Sequence, residues 1–247
     1  IKSLLYGGAP MYLENLKGAL AVFGPRLWQG YGQGEKPNTI SYLSKAIHAD
    51  IGSPRYEARL ASVGVARTGV EVRVVDESGR DRPAGEVGEI ICRSDVTMLG
   101  YWKQDDETAR VIRDNGWVRS GDAGYMDEDG YVFIQDRVKD MIVSGGENIY
   151  PAEVENAMHA HPDIAEVAVI GVPDPKWGEA VKAVIVPRAG HTPSAEDILA
   201  YTRERVAGYK VPKSIDFVDA LPRSATGKIL KKELRAPYWA GKDRQVN

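Results

Sequence analysis

The stretch that decides the fold runs from Trp117 to Val154 and reads WVRSGDAGYMDEDGYVFIQDRVKDMIVSGGENIYPAEV. It opens with Ser120-Gly121-Asp122, passes through an acidic turn ending at Gly130, and reaches Asp136-Arg137-Val138-Lys139-Asp140. Apolar residues on both sides of the acidic turn predict a β-hairpin. A Gly-Gly pair and a helix with Pro151 in its first turn are predicted to follow.

Side chains suited to a nucleotide occur in this stretch. Asp122, next to a glycine, offers two acceptor oxygens to a vicinal diol such as a ribose. Arg137 is a planar, permanently charged donor for ribose hydroxyls or a phosphate. Either residue alone is more typical of a structural ion pair, so the order and spacing of the whole stretch carry the interpretation.

The stretch resembles the signature of the adenylate-forming superfamily, which contains acyl- and aryl-CoA ligases, luciferases and the adenylation domains of peptide synthetases. There Ser/Thr-Gly-Asp precedes Gly/Asp-Arg-x-Lys/Asp-Asp and then Gly-x-Asn-Ile-x-Pro-x-Glu, matched here by residues 146–153. The resemblance identifies the C-terminal half of an acyl- or aryl-CoA synthetase, an AMP-binding enzyme. It implies that Asp122, Ile134 and Arg137 bind ATP or AMP. It also implies a hinge at Lys139, a residue that would otherwise be interpreted as a surface lysine.

The composition limits the classes of function. A net charge of −3 over 247 residues gives no electrostatic basis for binding nucleic acid. The chain has one cysteine, Cys92, so it cannot form an internal disulfide. Cys92 is predicted to be a small core residue. No apolar run approaches the ~20 residues that span a bilayer. The start at Ile1, without a signal-like segment, leads us to expect a cytoplasmic fragment. A homo-oligomeric state of the protein stays open.

The first strands carry further motifs of the family. An apolar strand at Ser3–Tyr6 leads into Gly8, Ala9 and Pro10, which the resemblance places against adenine and the acyl pocket. A plain strand-to-helix turn would explain these residues equally well. A second strand is predicted at Leu27–Tyr31.

The second strand ends in a variant of the family pattern Tyr-Gly-x-Thr/Ser-Glu. The resemblance implies that Tyr31 stacks on adenine, that Gly32 lies beside the nucleotide, and that Glu35 helps to hold Mg²⁺, a hard cation suited to carboxylate oxygen. Gly34 stands where a hydroxyl is expected, so the α-phosphate would lose one side-chain contact.

The fold class predicted is α/β and α+β. Residues 1–136 would form the end of a large N-terminal adenylation domain, in which residues 52–134 alternate with period two as a small antiparallel β unit. A helix around Glu107–Ile112 is predicted to be capped by Asp105 or Asp106. Tyr101 and Trp102 are assigned to packing. Residues 137–247 would form a small, mobile α+β domain.

Within the second domain, strands are predicted at Ile164–Val172, Ala180–Pro187 and Lys213–Val218, with Ser194 capping a helix. The closing stretch from Pro222 to Ile229 resembles the last motif of the family. Its Lys228 is assigned as catalytic by resemblance, although a lysine after Thr-Gly is ordinarily only a solvated charge.

Residues for the acceptor are also implied by the resemblance. In similar CoA ligases, Trp177 packs along the pantetheine arm and Gly146 leaves room for it. Tyr209 and Lys213 occupy the stretch that meets the CoA nucleotide, where a lysine suits phosphate.

The function implied is ATP- and Mg²⁺-dependent activation of a small carboxylic acid, fatty or aromatic, to an acyl-adenylate, followed by transfer to CoA. The Ser/Thr/Gly-rich phosphate loop of the family does not occur, and Ser224–Lys228 is no Walker loop because Pro222 replaces the first glycine. We therefore expect the chain to be inactive alone. A carrier-protein acceptor, an enzyme that stops at the adenylate, and a non-catalytic nucleotide-binding fragment stay as alternatives.

Overall fold

The computed structural model describes residues 1–8, 11–36, 40–113, 115–225 and 227–241. The chain divides into two compact units, Ile1–Ile134 (unit 1) and Gln135–Asn247 (unit 2). Both units mix helices with strands, so the predicted fold class is confirmed. Among the described residues, no helix is long and apolar enough to cross a membrane.

Unit 1 contains two sheets and short helices. In chain order its elements are β1 Leu4–Gly7, α1 Leu13–Phe23, β2 Leu27–Tyr31, β3 Ser41–Leu43, α2 Lys45–Ala49, α3 Tyr56–Leu60, β4 Val65–Ala66, β5 Glu71–Val75, β6 Gly88–Arg93, α4 Asp105–Val111, β7 Val118–Met126 and β8 Val132–Arg137, whose last residues cross into unit 2.

The first sheet has the strand order β1-β2-β3-β4, with β1 and β2 parallel. Leu16 of α1 packs against Leu27 and Leu43 in the core beneath it. The two parallel strands approach so closely that a Cβ on Gly7 would lie 2.3 Å from the carbonyl oxygen of Gly30. A glycine is therefore needed at the end of β1.

The second sheet has the order β5-β6-β7-β8 and corresponds to the predicted antiparallel unit. It begins at β5 instead of residue 52, because α3 precedes it and β4 pairs in the first sheet. On one face, Val74 is buried in the core with Ile90 and Val118, while its neighbour Arg73 forms an exposed ion pair with Asp81. The other face is not wholly polar, since Val75 is buried there with Ile91 and Trp117. Half-buried strands of this kind typically alternate apolar and polar residues.

Unit 2 begins with a 3₁₀ turn at Val138–Asp140. Its further elements are β9 Ile142–Ser144, β10 Glu147–Ile149, α5 Pro151–His159, β11 Ile164–Asp174, β12 Gly178–Pro187, α6 Ala195–Arg203, a 3₁₀ turn at Gly208–Lys210, β13 Ser214–Phe217 and α7 Lys231–Trp239. The sheet order is β10-β9-β12-β11, and β13 pairs in parallel with β12.

The sheet of unit 2 is buried on both faces. Val167 and Val169 of β11 pack with the apolar residues of α5 and α6, whereas the alternate residues Ala168 and Ile170 pack beside Leu234 of α7. Both faces are covered, which explains why β11 is a nearly continuous apolar run instead of an alternating one.

Three details differ from the sequence prediction. Asp105 and Asp106 lie inside the first turn of α4 and do not cap it; the N-cap is Gln104, whose side chain makes no capping hydrogen bond. Trp102 is 85% exposed, so its assignment to packing is wrong. The elements that were not predicted are the short ones β3, α2, α3, β4, β9 and β10, and helix α7.

His48 supplies a pH-dependent element of unit 1. It is 1% exposed, its Nδ1 lies 2.7 Å from the Ser44 carbonyl oxygen, and its Nε2 lies 3.0 Å from the Tyr6 hydroxyl. This fits a neutral ring that donates from Nδ1 and accepts at Nε2. Burial lowers the pKa of His48 below its ordinary value of 6.5.

Because the unfolded chain takes up this proton more readily, stability should be full above about pH 6.5 and fall as pH drops below it, by at most about 1.4 kcal/mol per pH unit. We expect His48→Gln to be less stable at pH 8 and to lose this slope. Urea unfolding between pH 8 and 5.5 tests it, with the exposed His191→Gln as control. An unchanged slope in His48→Gln would contradict the assignment.

Candidate functional site

Asp122 is aimed by a bulge in β7. The pairing of β6 with β7 shifts register between Glu89 and Ile91, opposite Ser120-Gly121-Asp122. Gly121 has φ of 67°, a value that glycine adopts without steric cost. The Ser120 hydroxyl donates to the Ile90 carbonyl (2.6 Å) and accepts from the Asp122 N–H (3.0 Å). The bulge thus turns the Asp122 carboxylate away from the ladder.

Two side chains from the end of β2 and the loop after it hold that carboxylate. The Tyr31 hydroxyl donates to Asp122 Oδ2 at 2.6 Å, and the Gln33 amide donates to the same oxygen at 2.8 Å. Gln33 also donates to the Ser120 carbonyl at 2.7 Å. Burial and the Asp122 charge raise the pKa of Tyr31 well above its ordinary value, so the phenol stays a donor. Tyr31 and Asp122 therefore form one unit of the site.

Tyr31 is more enclosed than the resemblance suggests. Its side chain is 9% exposed and belongs to the apolar cluster containing Val74, Ile90 and Cys92. The stacking of Tyr31 on adenine stays a prediction, and little of the side chain is exposed for it. Ile134 is half-buried against the same cluster, and Gly32 follows Tyr31 directly.

Glu35 is held by a residue that was assigned to packing. The Tyr101 hydroxyl donates to Glu35 Oε1 at 2.5 Å, and this hydrogen bond raises the pKa of Tyr101 to about 12. The Met98 N–H donates to the Glu35 carbonyl at 3.0 Å. Gly34 beside it is exposed and offers no side chain. The carboxylate of Glu35 is thus oriented by a neutral donor.

The turn after β1 is described only in part. Gly8 has φ of 80° and open space around it, which suits close approach of a ligand. Ala9 and Pro10, also predicted to contact the nucleotide, lie outside the described residues.

In unit 2, Trp177 lies on the hairpin formed by β9 and β10. The Gly145 N–H donates to the Trp177 carbonyl at 2.8 Å, and a Cβ on Gly145 would lie 2.7 Å from the indole Cε3. The indole is 44% exposed, with the Lys176 ammonium 4.6 Å from its centre. Gly146, with φ of 88°, has nothing within 4 Å of a built Cβ. Gly145 therefore seats the indole, and Gly146 leaves space beside it.

The other residues predicted for CoA differ in their availability. Tyr209 is 45% exposed and Lys213 is exposed. Between them, the Lys210 ammonium donates to both carboxylate oxygens of Glu153, at 2.6 and 2.7 Å. Of the two lysines, Lys213 is the better candidate for a phosphate group.

Lys228 lies in a braced turn between Arg223 and Ile229, which pair as an isolated antiparallel bridge. The Ser224 N–H donates to the Lys228 carbonyl (2.8 Å), and the Arg223 guanidinium donates to the Gly227 carbonyl (2.7 Å). Arg223 also pairs with Glu166 of β11 at 2.8 Å. Hydrogen bonds thus brace the two ends of the turn, while the Lys228 side chain is exposed.

Comparison with known proteins identifies the family. The model of the AMP-binding enzyme matches residues 1–102, and that of the AMP-binding enzyme C-terminal domain matches residues 153–228. The chain belongs to the AMP-binding enzyme family. The two matches follow one another in the order that the motifs predicted.

Similar AMP-binding enzymes differ in their acceptors. A fatty acid–acyl-carrier-protein ligase of Streptomyces coeruleorubidus is 42% identical over 100% of this chain and 46% of its own length. A feruloyl-CoA synthase of Amycolatopsis sp. is 46% identical over 96% of this chain and 46% of its own length. The structure of an amide bond synthetase of Marinactinospora thermotolerans superposes with a TM-score of 0.87 at 37% identity, over 96% of this chain and 47% of that one. The chain spans about half the length of the curated relatives it matches.

The described residues could hold a magnesium ion only through a single carboxylate, that of Glu35, together with groups from outside the chain. No cluster of three or more His, Cys, Asp or Glu side chains arranged for a metal occurs in the part of the chain that the structure describes. Mg²⁺ is commonly bound by one or two carboxylates together with substrate phosphates and water. Glu35, oriented by Tyr101, fits the role of such a single carboxylate in this AMP-binding enzyme.

Sequence reasoning missed Gln33 and Tyr101. Gln33 occupies a variable position of the Tyr-Gly-x-Thr/Ser-Glu pattern, and its partner Asp122 lies 89 residues away. Tyr101 lies 66 residues from Glu35. Neither pairing leaves a local signal in the sequence of an AMP-binding enzyme. The predicted residues Arg137 and Lys139 are exposed and belong to unit 2, as do Trp177 and Lys228.

Proposed function

We propose that the protein containing this chain is an acid–CoA ligase that activates a carboxylic acid with ATP and transfers the acyl group to CoA. The observation that carries the proposal is the buried Asp122 carboxylate, held by Tyr31 and Gln33 at the position where the family pattern expects a ribose-binding acid. Such a preformed carboxylate suits a diol, because both hydroxyls can donate to it.

In the first half-reaction, an oxygen of the acid attacks the α-phosphorus of ATP, and the bond from that phosphorus to the bridging oxygen breaks. The products are the acyl-adenylate and pyrophosphate. The attacking carboxylate is an anion that must approach anionic phosphates, and negative charge builds on the leaving bridging oxygen, so the protein contributes mainly positioning and positive charge. Lys228 would supply an ammonium there. Bound Mg²⁺, with Glu35 among its ligands, would supply positive charge beside the phosphates.

In the second half-reaction, the thiol sulfur attacks the acyl carbonyl carbon, the acyl–phosphate bond breaks, and AMP leaves. Trp177 and the open space at Gly146 would guide the pantetheine arm. Lys213 would meet a phosphate of the CoA nucleotide. Lys139 would be the pivot of a rotation between the two steps. This rotation would withdraw Lys228 from the acyl-adenylate and bring the surface that carries Trp177 toward it.

A second acceptor is favoured by one specific observation. One relative that is similar over this whole chain is a ligase for fatty acids and acyl-carrier protein, while another with the same coverage is a medium/long-chain-fatty-acid–CoA ligase. A carrier presents the same pantetheine arm as CoA but has no adenine nucleotide for Lys213 to contact. The carrier-protein function is therefore our alternative.

The deciding experiment offers the full protein a panel of fatty and aromatic acids with ATP and Mg²⁺, and measures pyrophosphate release. Each acid that reacts is then tested with CoA and with a pantetheine-loaded carrier protein. We expect pyrophosphate release with an apolar acid and thioester formation with CoA. Thioester with the carrier alone would establish the alternative, and no pyrophosphate with any acid would reject both.

We also expect the 247-residue chain alone to bind ATP without releasing pyrophosphate, since the phosphate loop does not occur in it.

Asp122→Asn should weaken ATP binding by about 10- to 100-fold, the value of a hydrogen bond to a charged group. Calorimetric titration measures this, with the exposed Asp129→Asn as control. Equal affinities for both variants would remove Asp122 from the ribose site.

A further inference from the structure

A buried cluster of charged side chains in unit 2 has no role in the chemistry proposed so far. The Lys231 ammonium lies 2.9 Å from the Glu155 carboxylate and 3.3 Å from the Asp136 carboxylate. The side chains of Lys231, Asp136 and Glu155 are 14%, 9% and 9% exposed. Buried ions that lose a partner are strongly destabilising, so the cluster constrains the elements that carry it.

The two carboxylates are also anchored to the backbone. Asp136 Oδ2 accepts from the Ala152 N–H at the start of α5 (2.9 Å), and Glu155 Oε1 accepts from the Val169 N–H in β11 (2.7 Å). Burial acts to lower the pKa of Lys231, but the charges of Glu155 and Asp136 outweigh it and raise the pKa, so the ammonium persists. Lys231 is thereby joined to α5 and β11.

A second pair lies one turn further along α7. The Arg235 guanidinium is 2.9 Å from Asp140, and both side chains are 13% exposed, although the pair lacks the alignment of a hydrogen bond. Asp136 and Asp140 enclose the residues 137–139, which include the predicted nucleotide ligand Arg137 and the predicted pivot Lys139. Helix α7 is therefore attached at two points to this segment.

The start of α7 is also the end of the Lys228 turn. Lys231 follows Lys228 by three residues, and the Leu230 N–H between them donates to the Pro222 carbonyl at 2.8 Å. We infer that Lys231 is a positioning residue for Lys228: through Asp136 and Glu155 it holds the turn in a fixed place relative to the segment that carries Arg137. The catalytic meaning of this inference rests on the proposed function.

Limited trypsin digestion of the full protein tests the structural part without any reaction. We expect Lys231→Met to accelerate cleavage after Lys228 on the order of tenfold, because the start of α7 would open locally. Lys231→Arg should restore slow cleavage, since a guanidinium can pair with both carboxylates. The control is Lys182→Met, which breaks a partly buried ion pair of unit 2, with Asp216 at 2.6 Å, beside Tyr238 near the far end of α7.

Steady-state kinetics tests the catalytic part. Well below its melting temperature, Lys231→Met should lower kcat for pyrophosphate release about tenfold with little change in KM for ATP, whereas Lys182→Met should change neither. Asp136→Asn keeps an acceptor for the Ala152 N–H and removes only the charge. It provides a milder variant if Lys231→Met does not fold, with the same expected direction.

Equal cleavage after Lys228 in the Lys231→Met and Lys182→Met proteins would overturn the inference. So would equal kcat values in these variants, provided that Lys228→Ala itself is slow. If Lys228→Ala retains full pyrophosphate release, the proposed function has failed instead, while the digestion result still reports on the attachment of the turn. The two failures are therefore distinguishable.

Discussion

Replacing Lys228 with Ala is expected to slow acyl-adenylate formation in the full protein by ~10²–10³-fold, the usual cost of removing one group that stabilises developing charge. Because the bridge between Arg223 and Ile229 and the hydrogen bond from Ser224 do not use the Lys228 side chain, the substitution should remove an ammonium without breaking them. KM for ATP should change less than kcat, because this charge is needed mainly in the transition state, when the carboxylate meets the phosphate and the bridging oxygen becomes negative.

The measurement is pyrophosphate release with the best acid of the panel, and the matched control is Lys232→Ala, an exposed lysine in the first turn of α7. Supplying synthetic acyl-adenylate and CoA bypasses the first step, and thioester formation from it should be nearly unchanged. A loss of similar size in both half-reactions would show that Lys228 supports the fold or binding instead of the first step.

Much of the fold is readable because long elements carry strong local patterns. The strand β2 and the strands β11, β12 and β13 were predicted within a few residues, and Pro151 and Ser194 lie at helix starts as expected. In each case hydrophobic periodicity and turn or capping chemistry agree, and such agreement between levels favours a single fold.

The elements that were missed have weak or contradictory local signals. Strands β9 and β10 have three residues each, and their pairing depends on the Gly145–Gly146 turn and on Trp177. Helix α7 contains Pro237, a residue that normally ends a helix. It is held instead by tertiary contacts, including the Trp239 indole, which donates to the Gly171 carbonyl at 3.0 Å. Tertiary packing overrides local preference there.

The candidate site likewise contains residues that the sequence indicates and supporting residues that it does not. Asp122, Glu35 and Lys228 could be chosen from ordered motifs, because family patterns preserve the residue types that chemistry requires. Their supporting partners could not, since the Tyr31 hydroxyl reaches Asp122 across 91 residues of sequence. The bulge at Gly121, the burial of the Tyr31 hydroxyl and the contact of Trp177 with Gly145 all depend on three-dimensional packing.

Lys139→Pro should leave pyrophosphate release nearly unchanged and lower thioester formation at least about tenfold. Proline fixes φ near −65°, and a pivot residue must change its backbone angles between the two half-reactions. Lys139 lies in the 3₁₀ turn Val138–Asp140, where a proline φ fits a turn conformation. Lys139→Ala, which keeps the backbone free, is the control and should support both steps. Equal loss in both half-reactions would count against the pivot.

The buried cluster sharpens this test. Asp136 precedes Lys139 in the chain, yet it is bound to Lys231, which follows it. A pivot at Lys139 must therefore separate Asp136 from Lys231 in one of the two conformations, whereas a pivot before Asp136 would leave the pair intact. With the pivot at Lys139, Asp136→Asn should raise the rate of thioester formation from supplied acyl-adenylate, a step that does not depend on Lys228. An unchanged rate of this step, together with an active Lys139→Pro enzyme, would move the pivot toward Gln135, where the chain divides into its two units.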